Sequence, residues 1–148
     1  ASAAGGWGAA ANVGLPLALL KSFTVGSMRD QRRLLAILQR CGAAGDHPVV
    51  VLRKAPRYGS EGAGAQLSKP ADASILTLAD VLQVDNDAAF NALVESARPE
   101  TVALFPDLES ARRTAVSGPK GSRRLSRGVT RCLGRDGGSL WVANGNLV

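Results

Sequence analysis

Residues 75–105 read ILTLADVLQVDNDAAFNALVESARPETVALF and carry the clearest secondary-structure pattern in the chain. Thr77 is followed three residues later by Asp80, a spacing typical of the capping box that begins a helix. We expect that helix to be short and to end at Leu82. Two polar residues, Asp85 and Asn86, separate it from the apolar pattern that comes next. The stretch therefore begins with one capped helix and leads directly into another.

The second helix is predicted over residues 87–97, with Asp85 or Asn86 as its cap. Pro99 ends it, and residues 101–105 form the continuous apolar run of a buried strand. Asp85 and Asp87 could also be considered as a metal-binding pair. Capping and the favourable charge at a helix N-terminus explain their position better, so we expect no metal there.

A helix and a hairpin follow this strand. Asp107 caps a helix predicted over residues 108–116, and Gly118 with Pro119 closes it. Two strands, over residues 129–133 and 139–143, flank the step from Asp136 to Gly137, which is the strongest short-range hairpin signal in the chain. The second half of the sequence thus predicts a strand, a helix and a terminal hairpin.

The first half is weaker in pattern. It predicts a lead-in of Ala and Gly over residues 1–11, a short helix over 15–21, a strand over 23–25, a helix of about three turns capped by Ser27, an inner strand over 49–52 covered on both faces, and a long loop over 57–70. With the elements above, the fold class is α/β, a mixed sheet with helices.

Length and composition exclude several classes of protein. The chain has 148 residues, of which 45% are hydrophobic and 20% charged, enough for one globular core. The longest apolar stretch falls far below the roughly 20 residues of a membrane span. Cys41 and Cys132 are expected to be two half-buried core thiols of a reducing, intracellular compartment. The chain starts without Met and without a basic leader, so we expect no secretory signal and an internal piece of a longer protein.

Catalytic motifs are not found in the sequence. Residues 118–122 have the residue types of a phosphate-binding loop at the wrong spacing, and Pro119 removes one of the amides that would bind phosphate. His47 is the single histidine and precedes Pro48 at a strand start, where a solvated or capping role is favoured over a general base. We expect no catalytic residues, no metal and no cofactor.

Charge is the strongest functional signal. The net charge is +6, and residues 112–135 contain eight basic residues and no acidic one, whereas residues 72–109 contain eight acidic residues and one Arg. The run mixes arginine with glycine and serine, which suits a loop that follows a phosphate backbone, and we favour nucleic-acid binding over an ordinary solvated surface. We expect its members to converge at one edge of the sheet: Arg112, Arg113, Lys120, Arg123, Arg124, Arg127, Arg131 and Arg135.

These elements resemble the hinge domain of structural maintenance of chromosomes (SMC) proteins, most of all that of the sixth member of the family. The resemblance rests on residues 75–86, 92–95 and 101–104, and on the Asp136-Gly137 turn before Leu140 and Trp141. It implies an SMC-hinge-like fold over residues 15–148 whose first half is incomplete. Residues 1–14 would be a poorly ordered lead-in, residues 15–45 the remainder of the first half, and residues 46–148 the second half.

The resemblance implies a non-catalytic dimerisation hinge of a nuclear, chromosome-associated protein for chromosome maintenance, DNA repair and DNA recombination. Its partner would be another SMC hinge, the fifth-type subunit, in a heterodimer, and coiled-coil arms and ATPase heads would lie elsewhere in the parent protein. A strand with consecutive large side chains needs cover on both faces, so the dimer interface is predicted at Leu140, Trp141, Val142 and Ala143. Single-stranded DNA is expected to be preferred over duplex at the basic run, and no membrane contact is expected.

Two other classes stay open at this point. One is a stand-alone basic nucleic-acid-binding module, which would be fully stable as a monomer. The other is a fragment of a nucleotide-binding α/β enzyme, which the lack of a phosphate-binding loop disfavours.

Overall fold

The computed structural model describes Leu15 and residues 21–52, 54–60, 66–116, 125, 128–143 and 146–147. The chain divides into two units. The four-strand unit comprises residues 1–14, 67–83 and 98–148, and the two-strand unit comprises residues 15–66 and 84–97. The predicted boundary between residues 45 and 46 is not among the breaks of this division, and the assignment of hinge halves stays a prediction.

The secondary structure follows the sequence pattern closely. In chain order the elements are β1 (Phe23–Val25), α1 (Met28–Arg40), β2 (Val49–Val51), α2 (Leu78–Val81), α3 (Asp87–Ala97), a 3₁₀ turn (Pro99–Thr101), β3 (Val102–Phe105), α4 (Leu108–Val116), β4 (Arg131–Gly134), β5 (Ser139–Ala143) and β6 (Asn146–Leu147). The sequence did not predict β6. The predicted lead-in, the interior of the helix at 15–21 and the closing Gly118 and Pro119 lie outside the described residues.

In the two-strand unit, β1 pairs with β2 in parallel, with Phe23 opposite Val49. Ser27 caps α1 as predicted, because its Oγ accepts a hydrogen bond from the Asp30 N–H at 3.1 Å. The prediction of an inner strand covered on both faces is wrong. Within the described residues β2 pairs with β1 alone, and its three valines are half-buried. A short β-branched run fits a half-covered strand as well as a central one.

The four-strand unit contains a mixed sheet in the order β3-β4-β5-β6. β3 and β4 are parallel and are connected through α4, whereas β4, β5 and β6 pair antiparallel. Thr77 forms a bridge with Ala103, and the Leu104 N–H donates to the Leu76 carbonyl at 2.8 Å, so residues 76 and 77 cover the outer edge of β3. The mixed α/β sheet expected from the sequence is confirmed.

Three further helices begin at side-chain caps. The Asp80 carboxylate accepts from both the N–H and the hydroxyl of Thr77 at 2.8 Å. Asn86, not Asp85, caps α3, with its Oδ1 2.9 Å from the Ala89 N. Asp107 caps α4, and the hydrogen bond from the Ser110 N–H lowers the pKa of the Asp107 carboxyl below its ordinary value.

One face of the sheet forms the core of the four-strand unit. The buried cluster contains Ala103, Phe105, Ala111, Leu125, Val129, Cys132 and Val142. Burial raises the pKa of the Cys132 thiol to about 11, so this sulfur stays protonated and packs as an apolar group. Cys41 is exposed, and the prediction of a half-buried thiol there is wrong because it follows the last turn of α1 at the surface.

The hairpin between β4 and β5 closes on the predicted Asp-Gly step. The Gly134 N–H donates to the Gly138 carbonyl at 2.8 Å, and the Gly137 N–H donates to the Gly134 carbonyl at 3.0 Å. Gly137 has a φ of 86°, which is a left-handed conformation. Glycine adopts it without steric strain, whereas most other residues lose about 1 to 2 kcal/mol there. The turn therefore depends on glycine at this position.

Candidate partner-binding and nucleic-acid surface

The side chains of β5 alternate between the two faces of the sheet. Val142 is buried in the core cluster, and Leu140 packs against it. On the opposite face of the sheet, Trp141 is 60% exposed, and Ala143, two residues later, is also exposed. The four residues predicted for a dimer interface thus separate into two that complete this chain's own core and two that lie open.

The open face brings a predicted DNA-binding residue against a predicted interface residue. Arg131 lies directly opposite Trp141 across the β4–β5 ladder, with its guanidinium 4.8 Å from the centre of the indole ring. The same guanidinium donates to the Ser139 hydroxyl at 3.3 Å. A guanidinium over an aromatic face is attracted by the ring quadrupole. The pair places a positive charge beside a large exposed aromatic ring.

The other members of the basic run lie at separate places. Arg112 and Arg113 are exposed on α4, where Arg112 lies 3.8 Å from the Glu109 carboxylate and Arg113 contacts the Ser110 hydroxyl at 3.5 Å. Arg135 is exposed in the hairpin turn. Lys120, Arg123, Arg124 and Arg127 lie outside the described residues.

Two of the basic residues expected to converge at one edge of the sheet lie at opposite ends of β4. Arg131 is the first residue of that strand, and Arg135 follows its last. At about 3.3 Å per residue, their Cα atoms are about 13 Å apart along the sheet. The Arg135 N–H donates to the Phe105 carbonyl at 3.2 Å, which places it at the end of β3 where α4 begins. These two residues of the run therefore lie at different ends of the strand, and the convergence of the run as a whole stays a prediction.

Three comparisons with known proteins bear on this architecture. No protein family model matches the chain, and no curated protein matches it. Among solved structures, it is similar to the crystal structure of the Schizosaccharomyces pombe Smc5/6 hinge domain, with 19% identity and a TM-score of 0.58 over 86% of this chain. The chain has the fold of an SMC hinge. It spans 44% of the length of that hinge chain.

The SMC-hinge fold and the mixed-sheet class expected from the sequence are therefore confirmed. The expectation that the hinge is incomplete agrees with the 44% of the solved chain that is covered. None of the helices in the described part of the chain has the length and apolar character needed to cross a bilayer.

One residue that organises the hinge fold was missed by the sequence analysis. Asn91, on α3, is buried and holds the loop at residues 55–58 against its helix. Its Oδ1 accepts from the Tyr58 N–H at 2.8 Å, and its Nδ2 donates to the Pro56 carbonyl at 2.9 Å. A signal for it is present in the sequence, because Asn91 lies beside Val94 at the edge of the apolar face of the predicted helix.

The cavity of the two-strand unit is lined by this same clamp. It has a volume of about 210 Å³ and contains Tyr58, whose hydroxyl donates to the Glu95 carboxylate at 2.6 Å. Pockets for drug-sized ligands measure roughly 300 to 1,000 Å³, so this cavity is too small for a nucleotide. The polar groups in its wall form hydrogen bonds with each other, so their role is to stabilise the fold.

His47 and Asp87, which the sequence disfavours as a general base and as a metal ligand, make other contacts in the structure. The His47 Nδ1 lies 3.1 Å from the Lys21 carbonyl oxygen, and the His47 ring stacks edge-on against Phe23. Asp87 lies 3.6 Å from the Arg57 guanidinium. Within the residues that the structure describes, no three His, Cys, Asp or Glu side chains come together as metal ligands would.

Proposed function

We propose that this chain is a dimerisation hinge of an SMC-type chromosome maintenance and DNA repair protein, and not an enzyme. The observation that carries the proposal is the open face of β5, where Trp141 is 60% exposed on a sheet with the SMC-hinge fold. Large aromatic residues that lie open on a rigid strand are enriched in protein interfaces, and their truncation typically costs about 2 kcal/mol or more of binding energy.

The end of the sheet supports the same proposal. β6 is the last strand of the four-strand sheet, and it follows β5 directly. A terminal strand offers N–H and C=O groups on its outer side, which a strand from another chain can pair with. A partner seated at this end of the sheet would cover Trp141 and Ala143 together. The partner we propose is the fifth-type SMC hinge, in a heterodimer within the nucleus.

Association of the purified full chain with a fifth-type SMC hinge tests the dimerisation proposal. Sedimentation equilibrium of each protein alone and of their mixture gives the mass of each species. We expect a one-to-one complex at micromolar concentrations or below. A chain that sediments as a stable monomer beside the partner would support the alternative of a stand-alone basic module.

DNA binding is the second part of the proposed function, through the basic residues at 112–135. The mixture of arginine with glycine and serine favours a flexible single strand over a rigid duplex. Phosphate contacts carry no base information, so sequence preference is expected to be weak. If about five residues neutralise phosphates, log affinity for a single strand falls with log salt concentration at a slope of about 3.5.

Charge reversal in the run tests this part separately. Fluorescence anisotropy over a salt series compares the native chain with Arg123→Glu, Arg124→Glu and Arg127→Glu combined. The variant should bind a single strand more weakly and with a flatter salt dependence. An unaltered slope would show an ordinary solvated surface. A thermal-shift screen with nucleotides tests the enzyme alternative, for which the proposal expects no change in melting temperature.

A further inference from the structure

A second basic surface lies on α1, in the two-strand unit. At 100° per residue, Arg29, Arg32, Arg33 and Arg40 project within an arc of about 100° around the helix axis. All four side chains are exposed, whereas Leu38, on the opposite side, is buried. We call these four residues the α1 arginine face. Ala36 lies among them, and its small side chain leaves the middle of the face open.

The charge of this face is not neutralised by nearby carboxylates. None of the four arginines forms an ion pair with an acidic side chain in the described part of the chain. The acid on α1, Asp30, accepts a hydrogen bond from the Ser27 hydroxyl at 2.6 Å. The contact on the face is from the Arg40 Nε to the Ala36 carbonyl at 3.2 Å, within the helix itself. Four positive charges therefore remain available to a ligand.

The helix is held so that this face points away from its packed side. The Gln31 side-chain amide donates to the Val49 carbonyl at 2.8 Å, which ties the buried side of α1 to β2. The N-terminal cap by Ser27 and the turn after Arg40, where Ala43 N–H donates to the Leu38 carbonyl at 2.8 Å, fix both ends. Helix α1 thus holds the backbone positions of the four arginines at fixed spacings along its axis.

We propose that the α1 arginine face binds the phosphate backbone of double-stranded DNA. Three of its arginines lie in the first half of the helix and one at its end. With a rise of 1.5 Å per residue, Arg40 lies about 10 to 17 Å along the axis from the other three. The major groove of B-DNA is about 12 Å wide. A helix laid across the groove therefore places arginines against both strands at once.

Charge and chemistry favour a nucleic-acid duplex over an acidic protein as the occupant. Guanidinium groups bind phosphate with two parallel hydrogen bonds, and an all-arginine face without acids matches a continuous polyanion. Single strands are bound by stacking of their bases on aromatic side chains, which this face does not contain, whereas a duplex offers phosphates at fixed positions on both sides of a groove. This inference rests neither on the SMC-hinge fold nor on the basic run at 112–135.

The experiment compares Arg29→Glu/Arg33→Glu with a control of equal charge change, Lys21→Glu/Lys54→Glu, whose lysines are exposed in the same unit. Fluorescence anisotropy of the full chain is measured with a duplex of about 20 base pairs and with a single strand, over a salt series. Loss of two phosphate contacts lowers the duplex slope by about 1.8. We expect the arginine variant to bind duplex at least about tenfold more weakly at low salt and the control to keep its slope.

Two further variants keep the test independent of folding and of the other basic run. Arg29→Lys/Arg33→Lys keeps the charge and should retain most of the duplex slope. The combined Arg123→Glu, Arg124→Glu and Arg127→Glu variant should bind a single strand more weakly. It should keep the part of the duplex salt dependence that Arg29→Glu/Arg33→Glu loses. If Arg29→Glu/Arg33→Glu binds duplex as tightly as the control Lys21→Glu/Lys54→Glu does, or loses only binding to another SMC hinge, the proposal is wrong.

Discussion

The Arg131 guanidinium lies 4.8 Å from the centre of the Trp141 ring, at directly paired positions of β4 and β5. This relationship joins a residue predicted to bind DNA to one predicted to bind a partner. Both belong to one face of the sheet, so a partner that covers Trp141 also covers the charge beside it. A change at either residue is therefore expected to affect the other.

A double-mutant cycle measures this coupling. Arg131→Met and Trp141→Leu, alone and combined, are compared by urea unfolding. The interaction energy is expected to be about 0.5 to 1 kcal/mol, because the pair lies on an exposed face. Additive effects within about 0.3 kcal/mol would mean that the two side chains only lie side by side.

Asn91 is expected to be the most sensitive polar residue of the two-strand unit. Asn91→Ala leaves the Tyr58 N–H and the Pro56 carbonyl without their partner, and such groups cost about 1 to 3 kcal/mol when they stay buried. Ser96→Ala, at an exposed position of the same helix, is the control. Guanidinium unfolding compares the two, and equal stabilities would contradict the clamp.

The hairpin turn depends on the left-handed conformation of Gly137. Gly137→Ala is expected to destabilise the chain by about 1 to 2 kcal/mol, because a Cβ is strained at this φ. Gly137→Asn should cost less, since Asn visits this conformation more readily. Thermal unfolding ranks the three proteins. If Asn and Ala variants melt together, the strain is not the cause.

Cys132 makes stability depend on pH in the alkaline range. Its pKa is about 11 in the folded chain and 9.0 in the ordinary thiol, so the unfolded chain loses this proton first as pH rises. The stabilisation is complete below pH 9 and is lost between pH 9 and pH 11, by up to about 3 kcal/mol. Unfolding free energies of the native chain and of Cys132→Ala should converge over this window. Parallel curves would contradict it.

The second half of the fold was predictable because its signals are local. Thr77 with Asp80 and the Asp136-Gly137 turn each act within four residues, and the structure contains both. β1 and the bounds of β5 were also found. The partner of β2 was not predictable, since three valines are compatible with one or two neighbouring strands.

The candidate surfaces depend on contacts between distant residues, and here the sequence was less informative. Arg131 and Trp141 were assigned to different functions because they are ten positions apart, and the ladder register that joins them follows from the turn geometry. The helical spacing of the four arginines on α1 can be read from the sequence. The direction in which they face depends on the hydrogen bond from Gln31 to β2, which cannot.

The affinity of Trp141→Ala for a fifth-type SMC hinge tests whether the chain is a dimerisation hinge. Isothermal titration calorimetry compares the native chain, Trp141→Ala and the control Phe23→Ala, which removes another exposed aromatic ring. We expect Trp141→Ala alone to lose about 2 kcal/mol of binding free energy, which is roughly thirtyfold in affinity. Equal affinity of the folded Trp141→Ala variant and the native chain would contradict it.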